Sequence, residues 1–207
     1  MVSSTSTTVL EILSFPASDL FKNHISIVDD ALQVISTAAG SRQAYRGREV
    51  EDNDIGYVLQ VWDSLEHHRT FARSAGFTTM RKEFEKCIDH DKPQQSAVVH
   101  VPFDPNSTAI QQPALVFIYG RVKSRGTKAK LEMKIAEVSR NLEGLAFGGP
   151  TLEDPDVYYL ILGARTIEMQ DAQGTGMKLL EELGEYIHAE RRHAWMKPFA
   201  GLDHTKD

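Results

Sequence analysis

Trp62, His67 and His68 follow one another closely, just where an apolar run gives way to a charged, helix-forming stretch. An indole offers a flat apolar wall and one N–H donor. A neutral imidazole beside it accepts a proton near physiological pH, so His67 or His68 suits a general base. Neighbouring helix positions point about 100° apart, so at most one of the two faces a given pocket. The competing reading makes Trp62 a core residue and the histidines solvated. Glu11 is the second candidate. It sits between Leu10 and Ile12, on the strand face shared by Val9, Leu13 and Phe15. A buried carboxylate there needs a partner or takes up a proton; at a sheet edge it would escape to water.

Other chemistry-bearing residues carry less. His188 and His193, near Trp195, are separated by an expected helix-to-strand break and match no metal spacing. With Tyr119 and Arg121 they fit structural roles. Gly174-Thr175-Gly176 lacks the Lys-Ser/Thr that completes a phosphate loop. Cys87 falls on a helix with no base in view, and no nucleophile-elbow motif occurs. No metal site is expected from these spacings.

The elements that must position these residues come in two similar sets. Residues 8–15 are β-rich and stop at Pro16. A helix capped by Asp19 follows, with Leu20, Ile25, Val28, Leu32 and Ile35 at helical spacing, ending at Gly40. Strands are expected over 44–50 and 55–62, then helices over 64–73 and 78–88, then a strand over 96–101. The second set runs: strand 114–121, helix 127–142, strands 145–151 and 156–164, a short helical stretch from Thr166, helix 177–191 and strand 193–197. The sets also match in sequence. Glu51-Asp52-Asn53-Asp54 returns as Glu153-Asp154-Pro155-Asp156, and the same offset carries Tyr57 onto Tyr159 and Gly47 onto Gly149. A period of roughly 100 residues is a domain and not a solenoid unit.

Both sets read βαββαβ, which folds as a ferredoxin-like sheet with its helices on one face. Residues 1–104 form the first repeat and 113–207 the second, with 105–112 as the linker, inside a stretch from Pro102 to Pro113 that carries three prolines. On 57–62, Tyr57, Leu59 and Val61 oppose Val58, Gln60 and Trp62, and both faces are apolar enough to need cover. The expected architecture is therefore α+β: two tandem units packed sheet to sheet as a barrel within one chain.

Composition narrows the partners. The 207 residues carry a net charge of −6, with 41% hydrophobic and 25% charged residues. That balance argues against nucleic acid or an anionic membrane surface. No apolar run is long enough to span a bilayer. A single cysteine and a start without the basic and apolar regions of a secretory signal suit the cytoplasm.

The segment Tyr57-Val58-Leu59-Gln60-Val61-Trp62-Asp63-Ser64-Leu65-Glu66-His67-His68-Arg69-Thr70-Phe71 resembles the antibiotic-biosynthesis-monooxygenase branch of the dimeric α+β barrel superfamily. The resemblance implies an enzyme without metal or flavin, acting on a small aromatic or polyketide-like substrate. His67 or His68 would be the base, Trp62 and Tyr57 would shape the site, Gln60 would position a substrate oxygen, and Glu11 would contribute to binding. It also implies that the two repeats stand in for the usual pair of chains. Haem-degrading relatives carry a histidine about ten residues after the tryptophan, but Arg73-Ser74-Ala75-Gly76-Phe77 contains none. The second repeat departs from the pattern, with Leu162, Ala164 and Met169-Gln170 at the aligned positions, so a pocket is expected in the first. A non-catalytic barrel that binds a small apolar ligand, or serves assembly, is the alternative.

Overall fold

The computed structural model describes residues 7–93, 95–167 and 175–201. Strands β1 (Val9–Pro16), β2 (Ser41–Glu49), β3 (Ile55–Trp62) and β4 (Ala97–Pro102) alternate with helices α1 (Asp19–Asn23), α2 (Asp29–Ser36), α3 (Leu65–Ala72) and α4 (Ala75–Phe84). Then come β5 (Ala114–Val122), α5 (Lys128–Asn141), β6 (Ala146–Pro150), β7 (Val157–Ala164), α6 (Thr175–Gly184) and β8 (Ile187–Pro198).

The described residues form two compact units. One comprises 7–48, 52–100 and 197–201; the other comprises 49–51 and 101–196. In the first unit the strand order is β4-β1-β3-β2, and in the second it is β8-β5-β7-β6. Both are the 4-1-3-2 order of a ferredoxin-like βαββαβ sheet, so the α+β class is as the sequence implies. No helix is long and apolar enough to cross a membrane, among the described residues.

Three expected helices differ in detail. The first is broken, because Ser18 caps α1 by accepting from Phe21 N, while His24 leaves helical geometry and a 3-10 turn intervenes. Phe21 is buried in place of Leu20, which is exposed, while Val28, Leu32 and Ile35 are buried as the expected stripe requires. The helix expected from residue 78 begins earlier, at Ala75 behind the Ser74 cap, and tightens to a 3-10 turn after Phe84. The helix expected over 177–191 stops at Gly184. Helix formers such as Ala189, Glu190 and Arg191 go into β8 instead, where they pair with β5 from Val122↔Ile187 to Ala114↔Trp195. Tertiary pairing overrides weak local propensity there. The stretch over Glu168, Met169 and Gln170 lies outside the described residues.

In each unit the helices cover one sheet face. Val9, Phe15, Phe21, Leu32, Val58, Trp62, Phe71 and Phe84 pack together in the first unit. Val116, Ile118, Leu131, Ile135, Leu160 and Leu183 do so in the second.

Candidate functional site

Glu11 is on β1, and β1 lies between β4 and β3. The β1–β3 register sets Val9 opposite Trp62, Glu11 opposite Gln60 and Leu13 opposite Val58. With period-two alternation, all six side chains fall on the helix-covered face. An interior strand gives Glu11 no edge from which to reach solvent. Its side chain is only 16% exposed.

Trp62 supplies the partner, its Nε1 donating to Glu11 Oε2 at 2.7 Å. On the other side His68 Nε2 approaches Glu11 Oε1 at 3.8 Å. His100, from β4, places its ring 4.5 Å from that of His68, and the Trp62 and His68 rings are 5.5 Å apart. Glu11, His68 and His100 each bring one donor atom to within 4.8 Å of the others. Four elements thus converge on one carboxylate.

Helix α3 aims His68 there because of how it starts. Ser64 accepts from His67 N, a cap that fixes the first turn. The His67 ring turns back on the same cap, with Nδ1 3.0 Å from Ser64 Oγ. It packs against Gly40, where an added Cβ would lie 2.3 Å from His67 Cγ. Gly40 has φ of 78°, the left-handed region that favours glycine. Of the two histidines, His68 faces the carboxylate and His67 holds the helix entry.

The remaining expected residues divide. Gln60 lies across from Glu11, but its Nε2 donates to Ser41 Oγ at 3.1 Å and Val61 O at 2.9 Å. Its amide nitrogen is thus engaged by its own sheet. Tyr57 falls on the opposite sheet face from Trp62, so the two do not share a pocket wall. Trp62 is 1% exposed and belongs to the core, and its indole N–H is taken up by Glu11. His100 escapes the sequence reading. The signal that finds it is topological, since the 4-1-3-2 order sets β4 beside β1.

A cleft of about 610 Å³ opens on the same carboxylate. Leu13, Phe77, Met80 and Phe84 form its apolar wall, while Arg81, His90 and Lys92 stand among the polar lining residues. Glu11 is thus reached from the cleft on one side and from Trp62 and His68 on the other.

No family model matches the sequence, and no curated protein does. Solved structures do match. A candidate monooxygenase of Lactobacillus acidophilus NCFM superimposes with a TM-score of 0.64 at 13% identity, covering 93% of this chain and 96% of that one. A candidate monooxygenase of Fusobacterium nucleatum gives 0.66 at 12% identity, over 93% and 94%. An anthrone oxidase-like protein gives 0.65 at 7% identity, over 100% and 99%. The chain shares the backbone fold of these structures. At these identities the likeness reaches the backbone and stops short of the side chains.

Proposed function

We propose that the first unit is a small-molecule enzyme of monooxygenase or cyclase type, taking a flat aromatic or polyketide-like substrate into the cleft. The observation that carries this reading is the placement of Glu11: an apolar cleft of aromatic size ends on a carboxylate that is held from behind. In this reading Glu11 removes a proton from an acidic C–H or phenol of the substrate. Trp62 holds one oxygen of that carboxylate, and His68 stands 3.8 Å from the other. Phe77 and Phe84 flank the ring system. The resemblance assigned the base to His67 or His68; the geometry favours Glu11, with His68 behind it.

For an oxygenating reaction, the substrate carbanion itself would reduce dioxygen. One oxygen atom would end on the ring carbon as a new carbonyl, and the other would leave as water. An anthrone-type methylene then becomes a quinone with no outside reductant. The neighbour described as anthrone oxidase-like makes a hydroxyanthrone the first probe.

Oxygen uptake and quinone absorbance should rise together when the protein is mixed with a hydroxyanthrone in air. Glu11→Gln should lower turnover by about 10²–10⁴-fold, the range expected on losing a general base. Full turnover in Glu11→Gln would sink the assignment. Tight binding without oxygen uptake would favour the non-catalytic, ligand-binding reading.

A further inference from the structure

We propose that Glu11, His68 and His100 form a binding site for a first-row divalent transition metal of the Zn2+ or Fe2+ class. The spacing argues for it. At 3.8 Å, His68 Nε2 and Glu11 Oε1 are too far apart for a hydrogen bond. Two ligands bound to one ion at about 2.0–2.2 Å stand roughly 3.3 Å apart in tetrahedral geometry and up to about 4.2 Å when opposite. The observed separation falls inside that interval. The third donor lies within 4.8 Å of both, close enough for a side-chain rotation of His100 to complete the set.

The donor chemistry selects the ion. Two imidazoles and one carboxylate suit borderline transition metals, whereas Mg2+ and Ca2+ prefer all-oxygen sets. The surroundings fit as well. Trp62 Nε1 donates to the carboxylate oxygen at 2.7 Å, the kind of outer hydrogen bond that orients a ligating carboxylate.

The site shares Glu11 with the proposed reaction but does not depend on it. A bound ion would engage the carboxylate that otherwise takes the proton, so the two modes exclude each other at that atom. Metal titration requires no substrate, and oxygen uptake in the presence of chelator requires no metal. Failure of one proposal is therefore distinguishable from failure of the other.

The test uses tag-free, full-length protein stripped with chelator and titrated with Co2+. The expected result is one equivalent bound, with visible ligand-field absorption that Zn2+ displaces and excess Mg2+ does not. Glu11→Gln and His100→Asn should each weaken binding by more than about 100-fold, and Trp62→Phe by about 10–100-fold, the range for an outer-shell partner. His188→Asn, at an exposed position on β8, should leave it unchanged. A second measurement covers variants that fail to fold. In Trp195→Phe, which keeps Trp62 as the sole tryptophan, one equivalent of Co2+ should quench fluorescence to saturation. Weak binding of several equivalents, binding unaltered in His100→Asn, or no quenching of Trp62 would each overturn the proposal.

Discussion

Individual side chains in the first unit have roles set by what surrounds them. Cys87 is fully buried, and burial pushes its thiol up to about 12. A thiol reagent at about pH 8 should leave the native protein unlabelled and modify Cys87 only on unfolding, because the thiolate is the reactive form. Rapid native labelling would contradict the described burial. Trp62 both fills core volume and donates to Glu11. Trp62→Phe should therefore cost about 1–3 kcal/mol, combining a lost charge-assisted hydrogen bond with imperfect packing. Combined with Glu11→Ala, the two losses should fall short of additive in urea unfolding, since each variant already removes the same contact. Strict additivity would mean that the Trp62–Glu11 bond contributes nothing.

At the level of elements, much depends on how helices start and loops close. Ser64→Ala removes the α3 cap and should cost about 1 kcal/mol in chemical denaturation. Gly40→Ala should cost at least as much, since it strains a left-handed residue and drives a methyl into His67. Gly184→Ala, with nothing within 4 Å of the added carbon, makes the contrast and should be near neutral.

In the second unit, burial pushes the Glu51 carboxyl up, but the His193 backbone N–H and ring outweigh it and hold it below the ordinary value of 4.5. The backbone bond measures 2.9 Å. A depressed carboxylate contributes stability that is present above its unfolded value and lost as pH falls through its folded one. Unfolding midpoints followed from about pH 6 down to 3 should drop less in Glu51→Gln than in the native sequence, and equal slopes would refute the linkage.

These elements were unevenly legible. Residues 55–62 announce β3 because β-formers alternate to a sharp boundary at Asp63, and the structure keeps those limits. The α6–β8 border was not legible, because only partnership with β5 makes a strand of a helix-forming run. Glu11, Trp62 and His68 stand out by residue type. Which histidine turns inward depends on the Ser64 cap, and His100 depends on strand order, and neither is a local property.

Across the whole molecule the two units share a strand plan but differ at the positions that matter. In the first unit Glu11 faces Gln60, and in the second Val116 faces Leu162 at the corresponding register. Val116 and Leu162 are both 1% exposed, so apolar packing occupies the place where the first unit keeps its carboxylate. A variant confined to the second core should therefore spare the proposed chemistry of the first unit. Leu131→Ala, at a fully buried position on α5, should lower stability by about 2–5 kcal/mol while leaving affinity for a hydroxyanthrone unchanged below the unfolding range.

The placement of β1 between β3 and β4 has a kinetic consequence. Glu11 and His100 lie far apart in the sequence, so the group of side chains around Glu11 cannot exist until the chain has closed that long-range contact. Contacts of such long sequence separation form slowly, because the loop entropy must be met before any reward arrives. During refolding, helix signal should recover first, and the indole environment beside Glu11 should recover only with the slowest phase. Synthesis on the ribosome imposes the same order: a nascent chain lacking β4 would carry its helices but no assembled trio.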